Sequence, residues 1–267
     1  MKKIVAGFVT LALTAALAAC SSPAEKSSSE ASPAPAQESP KVPGKGDISS
    51  DGVDFTTLTP EDLKLTTDKE YDFLTSNNTS GSIEFVPNSD PRVKDIEKYL
   101  QDATGYHREY LVAEVDNRKG TEVANMYSVT IYDEDGASYE FRKAYDLIED
   151  AKPVWNIDDT YTTAFGDKEL TEAEYRTLTD RGSKLSEKQT WAIDPLEKNT
   201  FILAMEIDKG ALPKEITGVS VMAHGGFDEV PAKNPLISEY REWMAAKEAG
   251  VEWEAYDAST AEPVPSE

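Results

Sequence analysis

One thiol, two imidazoles and 50 carboxylates are the side chains with which this sequence could do chemistry. The thiol, Cys20, sits where an apolar run gives way to Ser21-Ser22-Pro23. Two histidines, His107 and His224, exclude His-rich metal sites by count, and each fits a structural or surface role. His224-Gly225-Gly226 could supply oxyanion-binding glycines, but no Gly-x-Ser-x-Gly turn supplies the nucleophile. The folded part carries no Ser-x-x-Lys, no Gly-rich phosphate loop and no His-Glu-x-x-His. Pairs such as Asp133/Asp135 and Asp158/Asp159 arise by chance among so many acids. Asp133-Glu134-Asp135-Gly136 lacks the ligand spacing and distal Glu of a calcium loop, and a hairpin turn accounts for it better. No catalytic set, metal site or cofactor is expected.

The segment around Cys20 is more specific. Met1-Lys2-Lys3 is a short basic start, Ile4 to Leu17 is almost wholly apolar, and small residues Ala18-Ala19 precede the cysteine. This has the parts of a secretory signal, and it falls short of the ~20 apolar residues that span a bilayer. Leu17-Ala18-Ala19-Cys20 resembles the lipobox of bacterial lipoproteins. The resemblance implies cleavage between Ala19 and Cys20 and a diacylglyceryl group on the Cys20 thiol. The chain would then be extracytoplasmic and lipid-anchored to the cell membrane, on the outer face of the cytoplasmic membrane in a Gram-positive envelope. Each buried methylene contributes ~0.8 kcal/mol, so two or three chains anchor durably where one does not.

Composition then divides the remainder. The signal occupies 1–19, and 20–50 is a Ser/Pro/Ala/Glu linker that cannot bury enough apolar surface to order itself. As a coil it reaches roughly 30 Å, and about 90 Å if extended. A folded domain is expected over 51–233, with a helical insertion near 143–185. A C-terminal helix and extension follow over 234–257, and 258–267 is a polar tail. The net charge of −23 excludes a nucleic-acid binder, which would need a basic stripe, and opposes anionic headgroups.

Period-2 patterns dominate the folded part. Leu111, Ala113 and Val115 alternate in "YLVAEVD", and Tyr127, Val129 and Ile131 in "YSVTIY". Asp133 to Gly136 makes a turn before Tyr139 and Phe141. Ile83 with Phe85, Trp191 with Ile193, Phe201 through Ile207, and Val219 with Val221 predict further strands. Helices punctuate them. Asp90-Pro91 starts one that stops at Gly105, and a Thr171/Glu174 capping box starts another with Gly182 as its stop. Asn234-Pro235 starts a third, amphipathic helix ending near Gly250. Tyr240 and Trp243 on its face could form a partner-binding stripe, although helical spacing equally suits packing. The fold class expected is mainly β, an antiparallel sandwich with helical insertions and a C-terminal amphipathic helix. The run from Ile83 through "YLVAEVDNRKG", "YSVTIYDEDGASYEF" and "FILAMEI…LPKEITGVSVMA" resembles the immunoglobulin-like domains of secreted proteins and lipoproteins of Gram-positive bacteria, of the mycobacterial immunoprotective extracellular antigen type. The resemblance implies an immunoglobulin-like fold and no particular activity.

Three function classes remain open: a non-catalytic binding domain at the cell surface, a carboxylate-dependent wall-polymer hydrolase, and a solute-binding lipoprotein. The first is favoured. Its partners would be the membrane, through the lipid, and an extracellular protein or wall component. The anchor is directly testable. A fatty-acid analogue is expected to label the parent chain and not Cys20→Ser, which should also leave the membrane fraction. Label retained on Cys20→Ser would refute lipidation at that thiol.

Overall fold

The computed structural model describes residues 46–205, 211–225 and 229–253. The signal, Ala19, Cys20, most of the linker, Ile207, Gly226 and the C-terminal tail lie outside the described residues.

The strands run in chain order as β1 (Leu65–Thr66), β2 (Tyr71–Leu74), β3 (Ser80–Val86), β4 (Tyr110–Asp116), β5 (Ser128–Tyr132) and β6 (Ser138–Lys143). Three short strands follow, β7 (Val154–Trp155), β8 (Tyr161–Thr162) and β9 (Glu169–Leu170). The last four are β10 (Lys198–Met205), β11 (Glu215–Ile216), β12 (Gly218–Met222) and β13 (Glu229–Ala232). The helices are α1 (Lys94–Thr104), α2 (Ala144–Asp150), α3 (Glu172–Ser186) and α4 (Pro235–Glu248).

Eight strands form one antiparallel sheet in the order β13-β12-β5-β6-β10-β4-β3-β2. Its two outer strands meet. Asp72 at β2 and Lys233 beyond β13 exchange both backbone N–H···O=C bonds at 2.8 Å, so the sheet curls into a nearly closed, barrel-like shell. Closure covers the unpaired edges that an open sheet would expose. β1 pairs with β11, and β7-β8-β9 form a separate three-stranded arm.

The alternation read from the sequence points the expected residues inward. Leu111, Ala113, Val115, Val129, Ile131, Phe141, Phe201, Leu203, Val219 and Val221 fill the interior with Tyr71, Phe73 and Ile83. β4 over 110–113 and β10 over 201–205 are covered on both faces. Tyr110, Val112, Ile202 and Ala204 point outward into a second core with Ile96, Tyr99 and Leu100 of α1, Leu147 and Ile148 of α2, and Leu185 of α3.

The mainly antiparallel β class with punctuating helices holds, but the immunoglobulin-like sandwich is corrected. One sheet nearly closes on itself, where a sandwich has two sheets face to face. Alternation reports which side chains share a face and says nothing of which strands pair. The decisive pairings, β4 with β10 and β2 with the end of β13, join segments far apart in the chain.

Local expectations also change: Asp90-Pro91 makes a turn ahead of α1, whose N-cap is Val93, and Tyr127 precedes β5 and is exposed rather than facing inward. Trp191 lies in a loop, where the only ladder contact is the Ala124–Ile193 bridge. Gly182 does not end its helix: the Thr171/Glu174 capping box starts α3 as expected, and the helix runs on to Ser186. Gly182 is there because a Cβ would stand 2.5 Å from the Tyr99 hydroxyl oxygen and 2.8 Å from its Cζ, and Tyr99 is fully buried. Gly182→Ala is therefore expected to destabilise by about 1–3 kcal/mol through overpacking, against the ~1 kcal/mol gained in an open helix. Tyr99→Phe removes a buried hydroxyl that has no hydrogen-bond partner and should leave Tm unchanged or raised. Thermal melts check both; a higher Tm for Gly182→Ala would contradict the packing account.

Candidate functional site

The aromatic stripe of the C-terminal helix packs inside a small core of its own. Asn234 caps α4 by accepting from the Ile237 N–H at 3.1 Å, and its Nδ2 donates to the Glu70 carbonyl at 2.9 Å. Trp243 is buried, packs tilted against Phe55 with ring centroids 5.4 Å apart, and donates through Nε1 to Asp47 at 2.9 Å. Tyr240 meets Phe55 edge-on at 6.0 Å, and Trp253 closes the cluster. Phe55 belongs to the segment ahead of β1, so the helix docks on the start of the folded part.

The two histidines sit in different surroundings. His107 is exposed at the start of β4, its Nδ1 on the buried carboxylate of Glu97. That carboxylate also accepts from the Tyr110 hydroxyl at 3.0 Å and the Arg108 N–H at 3.3 Å. His224 is buried at one end of the shell. Its Nδ1 faces the Val123 carbonyl at 3.1 Å, which can only accept, so Nδ1 carries a proton. Its Nε2 lies 3.0 Å from Thr79 Oγ1, and Thr79 donates to Asn117 Oδ1 at 2.5 Å. Asn117 Nδ2 reaches the carbonyls of Glu122 and Ile193, both at 2.9 Å. These side chains close that end of the shell by satisfying loop carbonyls that would otherwise be buried unpaired.

Lys143 stands at the same end. It follows Phe141 by two residues, so it too points inward, and it is buried. Its Nζ is 3.3 Å from the Trp191 carbonyl and 3.8 Å from Asp146, with the Trp191 and Tyr127 rings centred at 5.3 and 5.9 Å. Burial holds this ammonium below the ordinary lysine range, and Asp146 opposes the shift. A desolvated amine is the raw material of Schiff-base chemistry. Here the two rings cover it, so it serves as the cation that ties Trp191 and Tyr127 over the end of the shell.

Carboxylates come together in a cleft of about 510 Å³ along the outside of β3, β4 and β10. Glu114 and Asp116 both line it, but they sit two apart on one strand and so share one wall. Asp116 is locked to Arg118, whose hydrogen bonds pull its pKa down to about 2. A general acid needs the opposite shift. The Asp133 carboxylate accepts from the N–H groups of Asp135 and Ala137 at 3.0 and 2.8 Å, and Gly136 has φ 78°. It is a turn. Among the described residues, no group of three or more His, Cys, Asp or Glu is arranged to hold a metal.

The surface that sequence reasoning missed is the arm between α2 and α3. Trp155 is 62% exposed, Phe165 55%, Val154 43%, and Ile157 wholly exposed. Val154, Trp155 and Ile157 line one open concavity with Asn156 and Asp158. The arm is held in shape. Asn156 N–H donates to the Thr160 carbonyl at 2.9 Å, Asp159 N–H returns to the Asn156 carbonyl at 3.1 Å, and Asp159 takes φ 61°. Trp155 stacks on Tyr161, and Tyr161 lies 4.6 Å from the Tyr175 ring of α3. The signal was present in "VWNIDDTYT": an Asn-Asp turn between aromatic and β-branched residues is a hairpin signature. No family model, no curated protein and no solved structure matches the chain.

The Lys143 environment makes a pH-dependent statement. Its folded pKa lies below its unfolded value near 10.5, so between the two the unfolded chain binds more protons, and stability rises with pH across that window. By NMR, Lys143 Nζ is expected to titrate below the other lysines. Lys143→Met should gain less stability than the parent between neutral pH and pH 10. Titration of Lys143 with the bulk lysines would contradict this.

Proposed function

We propose that the chain is a lipid-anchored, extracytoplasmic binding module, tethered through Cys20, whose working surface is the β7-β9 arm. One observation carries this reading: Val154, Trp155 and Ile157, all exposed, line a single concavity on the arm. Contiguous exposed apolar surface rimmed by polar residues marks an interaction site on a soluble domain. The aromatic stripe of α4 is spent on Phe55 and Trp253, which leaves the arm as the better candidate. The tether and lipid rest on the sequence around Cys20, and the arm supplies a reason for holding such a domain at a membrane.

A photo-reactive aromatic residue in place of Trp155, in the full anchored chain on intact cells, tests the surface. Its adduct yield is expected to exceed by far that of the same residue at Lys94, an exposed position on α1. Trp155→Ala with Ile157→Ala should leave Tm unchanged, because neither side chain is buried. Equal yields at positions 155 and 94 would reject the arm as the binding surface.

A further inference from the structure

We propose that the concavity beside Trp155 receives a neutral glycan, with a pyranose ring laid on the indole and its hydroxyls bonded to Asn156 and Asp158. This rests on the reading of the arm as the binding surface and names its ligand class. The concavity measures about 650 Å³ and is lined by Val154, Trp155, Asn156, Ile157 and Asp158, a size within the range of small-ligand sites. Tyr161 stacks on Trp155 and is itself backed by Tyr175 of α3, while Trp155 stays 62% exposed. The indole is therefore a supported platform with an open side. The C–H groups of a pyranose face carry partial positive charge and suit the negative face of such a ring.

The hydrogen-bonding capacity left over in the lining selects the ligand. Asn156 spends its amide hydrogens on the Thr160 and Thr162 hydroxyl oxygens at 3.2 and 3.3 Å, which leaves Oδ1. Asp158 accepts from the Thr160 hydroxyl and N–H on Oδ1 at 2.7 and 3.3 Å, which leaves Oδ2. These bonds lower the Asp158 pKa, so the free oxygen is an ionised acceptor. Trp155 Nε1 adds one donor. Among the described residues, none of these three atoms has a partner on another residue. Two acceptors and a donor around a ring face suit hydroxyls, each of which both donates and accepts. A purely apolar segment would desolvate Oδ1 of Asn156 and Oδ2 of Asp158 without replacing their water. A Lys or Arg side chain brings no acceptor for the indole N–H, and Asp158 repels an anionic lipid surface. The pre-formed turn and the Trp155-Tyr161-Tyr175 stack reduce the ordering cost of binding.

The experiment places the photo-reactive residue at the wholly exposed Ile157, with Trp155 retained, in the anchored chain on intact cells. The adduct is expected to be carbohydrate by mass, with a yield that does not change as salt is raised. Adding Trp155→Ala should lower that yield about tenfold, as loss of the stacking platform implies. Adding Asp158→Asn keeps an acceptor and should hold the yield within about twofold, where a cationic partner would lose most of it. Adducts on protein, lipid or a second copy, or a yield that falls with salt or with Asp158→Asn, would overturn the glycan while leaving the arm as a binding surface. A yield at position 157 no greater than at Lys94 would overturn both.

Discussion

The structure depends on the two-sided burial of β4 and β10. Most soluble antiparallel strands have one wet face, but here each strand places one set of side chains in the shell and another against helices. Ala113 and Phe201 are register partners facing inward, and Val112 and Ile202 are partners facing α1 to α3. Each fully buried aliphatic or aromatic side chain contributes about 1.5–3 kcal/mol, so this shared wall holds the shell and the helical layer together. The arm hangs between α2 and α3, so its placement follows from that wall. The arm contributes little to either core and exposes its apolar residues, because both cores are completed elsewhere.

Polar groups complete what the apolar wall leaves open. At one end of the shell, His224, Thr79 and Asn117 satisfy loop carbonyls, and Lys143 draws Trp191 and Tyr127 over the gap. These groups suit closure: His224, Asn117 and Lys143 each face a loop carbonyl, and two aromatic rings lie over Lys143. Asp116 is likewise quenched by Arg118.

What could be read from the sequence was local. The alternation around Leu111 to Val115, the Asp133-Gly136 turn, the Thr171/Glu174 box and the Asn234-Pro235 start each involve residues close in the chain, and each stands where expected. Pairing did not follow, because closing β2 onto the end of β13 is decided by contacts across more than 150 residues. Gly182 was mistaken for a stop because its reason lies on another helix, in the Tyr99 ring. Lys143 faces inward because of its register on β6, opposite Leu203 of β10. The arm was overlooked for a different reason: its strands are two residues long, too short for periodicity to register, although its turn chemistry was legible.

The account stands on the wall, and amide hydrogen exchange on the intact protein measures it directly. The slowest amides are expected in 110–116 and 198–205, exchanging through global unfolding, while 156–160 of the arm exchange orders of magnitude faster through local opening. Protection in the arm equal to that of β4 and β10, or rapid exchange in those two strands, would contradict an arm borne on a doubly buried wall.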